Sequence, residues 1–202
     1  MEKDDAERAL SIIRQVIQTT HEDLVAHNWG LIWIFHSFTN AAAFVAIGAW
    51  AEAGDLGIVW YLVPLAVVAA VNLVIVAFCR ERDRGVQSFV EWQIHGIFTA
   101  FVIVSLASAA VLHLYGAPKY YCPLIALNAS FSFAVMGVVF YRSFFAIAAL
   151  FMAAGLAAPF AGPVLQWYCL AAAWWLALII PGVLFHLEKL RRHDDDQRSQ
   201  IL

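Results

Sequence analysis

The sequence predicts an all-α polytopic membrane protein, a bundle of six transmembrane helices that follows an N-terminal amphipathic helix. Hydrophobic residues make up 63% of the chain and charged residues only 13%, and the mean hydropathy is +0.75. Soluble proteins, by comparison, are about half apolar. The apolar residues also form runs long enough to cross a bilayer, and the basic residues cluster in alternate connections between those runs. Together these observations exclude an ordinary soluble fold.

Residues 1–27 are predicted to form the amphipathic cytoplasmic helix. Its apolar residues recur at helical spacing, while charged residues occupy the rest of the helix surface. The segment is at least as acidic as it is basic, so we expect it to pack against a partner chain or the protein's own cytoplasmic face rather than on lipid. The first apolar run does not directly follow a positively charged region of the kind that begins a signal peptide. We therefore expect that run to be retained and not cleaved.

The transmembrane domain is predicted over residues 28–187, and a charged cytoplasmic tail over 188–202. The apolar runs divide the domain into six spans with expected bounds 28–50, 57–79, 87–114, 121–141, from the next turn to 158, and 164–186. A tight turn from Pro159 to Pro163 is expected between the last two spans.

The fourth and fifth spans come from one long apolar stretch, residues 121–160, whose single charge is Arg142. One helix of that length would measure about 60 Å, about twice the hydrocarbon thickness. We therefore expect the stretch to fold back at the polar turn 141–143. With that turn, all of the 12 lysine and arginine residues except Lys119 fall on one side of the membrane. The positive-inside rule then predicts that both termini are cytoplasmic, and we expect the bacterial cytoplasmic membrane as the location.

Two of the spans carry polar side chains along one helical face. The stripes consist of Asn28, His36, Thr39 and Asn40 in the first span, and of Glu91, His95, Thr99, Ser105 and His113 in the third. Polar side chains inside a bilayer are costly and are therefore candidates for function. His36 and His95 each lie roughly 12 Å from the start of their span, so we expect them to face each other. Asn72 and Asn128 are single polar points in the second and fourth spans, and either can face these stripes.

The stripes leave several interpretations open. Histidine and asparagine can simply hydrogen-bond across helices and fix the bundle. They can also line a pathway for an ion, a proton or a small solute, with Glu91, His95 and His36 at its cytoplasmic mouth. Because six helices with short loops leave little room for a pore, we expect a homo-oligomer for this function. A third interpretation is a metal or b-type haem bound by His36 and His95, with His186 as a further metal ligand.

A rival from another functional class is an accessory or scaffold subunit of a larger membrane complex. Such a subunit would dock on its partner through the N-terminal helix, and it could hold the haem, a metal or a pigment at the histidines. The fifth span offers small-xxx-small pairs, Ala149/Ala153 and Ala154/Ala158, which allow close helix contacts within the bundle or between chains. Trp174 and Trp175 lie in the middle of the sixth span, where packing against a neighbour or a bound lipid is the expected role.

No catalytic signature accompanies these residues. His21-Glu22 lacks the second histidine of an HExxH zinc motif, and no GxSxG, Walker or Rossmann pattern occurs. Cys79, Cys122 and Cys169 lie in three different spans without the spacing of a zinc knuckle. The net charge of −3 gives no indication of nucleic-acid binding. We therefore expect a non-enzymatic protein whose partners are lipid and other membrane chains.

Overall fold

The computed structural model describes residues 28–53, 58–79 and 89–201. Within these ranges the chain is helical, with no strand, and six helices are long and apolar enough to cross a membrane. They are α1 (Trp29–Ala53), α2 (Ile58–Cys79), α3 (Phe89–Leu114), α4 (Tyr121–Val139), α5 (Phe144–Ala161) and α6 (Leu165–Ile201). The six predicted spans are confirmed. The predicted N-terminal helix over 1–27 lies outside the described residues.

The helices alternate in direction. Asn28, just before α1, contacts Cys79 at the end of α2. Farther along α1, Thr39 contacts Asn72, which comes before Cys79 in α2, so these two helices are antiparallel. The next two neighbouring pairs are antiparallel as well. Helices α3 and α4 are joined by the contacts Ser105–Asn128 and Phe98–Phe133, and α4 and α5 by Gly137–Phe145 and Gly155–Leu127. The starts of α1, α3 and α5 therefore share one end of the bundle with the ends of α2 and α4.

The described cations separate along the same axis. Arg142 lies in the turn between α4 and α5, and Lys189 contacts Asn28 at the start of α1. We call this the basic end of the bundle, and Arg191 follows Lys189 there. Lys119 lies between α3 and α4, at the opposite end. The uneven distribution on which the six-span prediction depends is thus present in the folded chain for these four residues.

The backbones of α1 and α6 touch where Gly30 meets Gly182. A Cβ atom on Gly30 would lie 2.5 Å from the backbone nitrogen of His186 and 2.7 Å from the carbonyl oxygen of Gly182. At the other end of the pair, Gly48 lies against Trp167. Glycine has no side chain, so two membrane helices can approach this closely where glycines meet. Lipid leaves no hydrophobic driving force between such helices, and van der Waals contact between their backbones stabilises the pair instead. The pair α1–α6 is therefore a tightly fitted antiparallel unit.

An aromatic layer fills the middle of the bundle. It consists of Phe44, Phe101, Phe133, Phe151 and Trp174, which come from five different helices. The Trp174 ring lies 5.5 Å from Phe44, 5.6 Å from Phe101 and 5.0 Å from Phe151, measured between ring centroids. Phe133 stacks on Phe151 at 5.5 Å. The expectation that Trp174 packs against neighbours is confirmed, and Trp175 lies on the outside, 38% exposed, in contact with Phe38.

The turn at Arg142 is confirmed, whereas the next turn is shifted. Helix α4 ends at Val139 and α5 begins at Phe144, with Arg142 exposed between them. The turn predicted from Pro159 was wrong at its start, because α5 includes Pro159 and continues to Ala161. Proline removes one hydrogen bond but does not end this helix. Gly162 ends it, because its backbone has a φ of +80°, which residues other than glycine rarely adopt.

The predicted tail is a continuation of the last helix. Helix α6 runs without a break for 37 residues, about 55 Å at 1.5 Å per residue, and its apolar part ends near Arg191. The hydrocarbon core of a bilayer is about 30 Å thick. The helix therefore projects beyond the membrane at the basic end.

Helices α2 and α3 lie at the edge of the bundle. Only 6% of the positions in the apolar window of each are buried, against 56% in α4. Helix α2 packs on α1, and α3 packs mainly on α4. Both helices therefore offer most of their surface to lipid or to another chain.

Candidate functional site

A polar cluster joins α1 to α2 inside the membrane. The Thr39 hydroxyl lies 2.9 Å from Asn72 Oδ1, to which it donates a hydrogen bond, and Asn72 Nδ2 donates to Asn40 Oδ1 at 3.0 Å. Asn40 is buried, and the other two are partly buried. We define the polar cluster as these three residues together with His36. Asn72, which the sequence showed only as an isolated polar point, is the residue that connects its members.

His36 lies one turn from Asn40 on the side of the basic end. Its Nε2 atom is buried and has no hydrogen-bond partner among the described residues. The imidazole lies within interaction range of the Asn72 backbone and of His95 on α3. His36 is seven residues from Trp29, or roughly 10 Å along the helix. His36 thus lies at a depth where an unsatisfied polar atom is costly, and the expectation that it faces His95 stays a prediction.

Asn28 belongs to a different contact, at the membrane surface. Its side chain donates to the carbonyl oxygen of Cys79 at 3.2 Å and accepts from Lys189 Nζ at 2.6 Å. Its φ of +59° lies in the left-handed region, which asparagine tolerates better than most residues. Asn28 therefore connects the start of α1 to the ends of α2 and of the membrane part of α6, and lies about 12 Å along the axis from His36.

The polar stripe of α3 is divided between the interior and the surface. His95 is partly buried and makes an edge contact with the Trp29 ring, with 5.7 Å between ring centroids. Ser105 accepts a hydrogen bond from Asn128. Thr99 and His113 are exposed on the outside of the helix. The side chain of Glu91 lies outside the described residues, so its place in the cluster stays a prediction.

The metal-binding residues predicted from the sequence are not gathered into one group. Among the described side chains, no set of three or more His, Cys, Asp and Glu residues could hold a metal ion, so His186 does not join His36 and His95 in such a set. The three cysteines, all within the described ranges, are free thiols, and Cys122 donates a hydrogen bond to the Gln166 carbonyl at 3.2 Å. A haem held by His36 and His95 alone stays a prediction.

Comparison with known protein families, with curated proteins and with solved structures finds no match for this chain. No family is assigned. Its function is therefore inferred from the polar cluster and the bundle that surrounds it.

Proposed function

We propose that this chain is a non-enzymatic integral membrane protein that provides a pathway for an ion, a proton or a small polar solute. The polar cluster would form the part of that pathway nearest the basic end. The supporting observation is His36 Nε2, which is buried without a partner among the described residues, beside the amides of Asn40 and Asn72. Polar atoms in that situation are costly in a bilayer, and they are typical of membrane sites that bind a passing solute.

The aromatic layer bears on how such a pathway would work. Phe44 lies eight residues beyond His36 on α1, or about 12 Å toward the opposite end. The rings of the layer are in mutual contact around Trp174 and make the interior apolar at that level. Dry apolar constrictions are a common way for a pathway to be closed. We propose that the described conformation is a closed one.

We further propose that the basic end faces the cytoplasm of a bacterial cell and that both termini lie there. Arg142, Lys189 and Arg191 at that end, against Lys119 at the other, support this orientation through the positive-inside rule. We propose a homo-oligomer as well. Thr99 and His113 lie on the exposed side of α3, where a second chain would accommodate them better than lipid.

A second candidate function is an accessory subunit of a membrane complex. The presence of His36 on α1 and His95 on α3, both in the half of the bundle nearest the basic end, favours it, because histidines from two helices can serve as the axial ligands of a haem. A Soret absorption band in the purified protein that disappears in His36→Ala and in His95→Ala would support this function. A colourless protein that contains no metal by elemental analysis would exclude haem. Co-purification of a stoichiometric membrane partner would support the subunit role.

The pathway is tested by flux measurements in proteoliposomes. A panel of protons, potassium, chloride and glycerol covers the main classes of solute. We expect His36→Ala and Asn72→Leu to change the flux of the transported member of the panel. Ser37→Ala is the matched control, because Ser37 is a buried neighbour of His36 whose hydroxyl, among the described residues, donates its hydrogen bond to the Ile34 carbonyl of its own helix. Flux equal to that of empty liposomes for the whole panel would refute the proposal, as would flux unaffected by both cluster variants.

A further inference from the structure

A second group of polar residues lies between α3 and α4, in the half of the bundle away from the basic end. A cleft there is lined by Ser105 and Ser108 of α3 and by Tyr121 and Asn128 of α4, with Leu112 and Ile125 beside them. We call it the serine cleft. It lies beyond the aromatic layer as seen from the polar cluster, and it is near the end of the bundle that carries Lys119. The sequence placed Ser105 in the polar stripe of the third span and showed Asn128 as a single polar point that can face that stripe.

The size of the cleft suits a single small molecule. Its volume is about 10 Å³, which is close to the smallest space that accommodates one water molecule. Buried waters in proteins require polar partners as well as space, commonly two to four of them. Two serines of α3 and a tyrosine and an asparagine of α4 are among the residues that line this one space, whose surface is otherwise apolar. The cleft is therefore at the lower limit of size for one water molecule, and four of its lining residues carry polar groups.

The hydrogen bonds of Asn128 also indicate a bound water molecule in the cleft. Its carboxamide has two N–H donors and one acceptor oxygen. Among the described residues it makes a single side-chain hydrogen bond, from Nδ2 to Ser105 Oγ, and at 3.3 Å this bond is longer than the usual 2.9–3.0 Å. Asn128 is seven residues from the start of α4, or about 10 Å into the helix. An amide at that depth needs further partners, because lipid chains supply none.

From this geometry we propose that the serine cleft is a water-binding site. One water molecule would bridge the Asn128 carboxamide to the hydroxyl groups of α3 and would exchange with the solvent at the Lys119 end of the bundle. The site stands apart from the proposed function, since the cleft would be hydrated whether or not a solute crosses the aromatic layer. If the pathway does exist, the cleft is its hydrated portion on the side opposite the polar cluster.

Hydrogen exchange of side-chain amides tests this proposal, and Gln166 is the internal control. Gln166 lies at the start of α6, at the same end of the bundle as the cleft; it is 5% exposed, and its Nε2 donates to the Pro163 carbonyl at 3.1 Å. The full chain in lipid bilayers is transferred to D2O, and both side-chain amides are followed by NMR. The Asn128 signal is assigned by its loss in Asn128→Leu. We expect fast exchange at Asn128 and slow exchange at Gln166.

Two valine variants separate hydration of the cleft from general access of solvent to α3. Ser108→Val fills the cleft and removes a hydroxyl group, so we expect the fast exchange of Asn128 to be lost. Ala107→Val places the same valine side chain on the exposed side of α3 and should leave the exchange fast. Exchange at Asn128 as slow as at Gln166 in the natural chain would overturn the proposal. Fast exchange that survives Ser108→Val would overturn it as well.

Discussion

The contact between α1 and α6 at Gly30 gives the sharpest prediction of stability. In Gly30→Ala the new methyl group would meet His186 N at 2.5 Å and Gly182 O at 2.7 Å, both of them backbone atoms. Separations below 3.0 Å are not sustained by carbon atoms, and a backbone cannot rotate aside as a side chain can. The two helices must therefore separate, which lengthens the contacts along the α1–α6 pair.

The magnitude follows from two opposing terms. Replacing glycine by alanine inside a helix stabilises it by about 1 kcal/mol when nothing else changes. Overpacking typically costs about 1–3 kcal/mol. Gly96 supplies the control, because a Cβ atom there meets nothing within 4 Å. We expect Gly96→Ala to be neutral or more stable by up to about 1 kcal/mol, and Gly30→Ala to be less stable than Gly96→Ala by about 1–3 kcal/mol.

The assay is reversible unfolding of the full chain in mixed micelles, followed by helix circular dichroism. The difference between the two alanine variants contains the cost of the clash together with a smaller gain in helix propensity at Gly30, which lies in the first turn of α1, than at Gly96 inside α3. Gly182→Ala, whose Cβ atom would lie 3.0 Å from Gly30 O, should be destabilised in the same direction. Equal unfolding free energies for Gly30→Ala and Gly96→Ala would show that α1 and α6 do not touch in the way described.

Three more outcomes follow from contacts described above. Asn72→Leu should destabilise the chain by about 1–2 kcal/mol, because Asn40 and Thr39 lose their partner across the helices; an unchanged unfolding midpoint would contradict the cluster. Trp174→Phe keeps an aromatic ring in the centre and removes an N–H group that has no acceptor among the described residues, so we expect its unfolding free energy to stay within about 1 kcal/mol of the natural chain. Trp174→Ala leaves a cavity and should lower the unfolding free energy by about 3–5 kcal/mol in the same assay. In a cysteine-free background, an impermeant thiol reagent applied to intact cells should label Lys119→Cys and not Arg142→Cys; the reverse pattern would invert the proposed orientation.

The spans could be predicted because the bilayer imposes a length and a polarity that a sequence displays directly. The turn at Arg142 is the clearest case, since a 40-residue helix cannot fit the membrane and a single polar site was available for the reversal. The turn after α5 was misplaced because Pro159 was taken as a helix end, whereas the conformation of Gly162 decides it. Hydropathy likewise cannot show that α6 continues past the membrane, because helix formation in the charged part does not depend on apolar content.

The candidate site could be predicted only in part, because periodicity fixes the face of a helix but not its neighbour. The first stripe identified Thr39 and Asn40, and the sequence offered both Asn72 and Asn128 as partners for the stripes. The packing of α2 on α1 is what pairs Asn72 with Thr39 and Asn40. In the third span one face was treated as continuous. The rotation of α3 against α4 instead places Ser105 inside and Thr99 outside. That rotation is set by side-chain fit along the whole interface, which a single sequence does not reveal.

The unbroken length of α6 has a mechanical consequence. Pro181 has no backbone N–H to bond to the carbonyl oxygen of Ala177, so α6 bends most easily directly beside the Gly182 crossing. The contact of Gly182 with Gly30 holds that point of α6 against α1. A displacement of the projecting end, between Arg191 and Ile201, would therefore be absorbed as a bend near Pro181 before it reached Trp174.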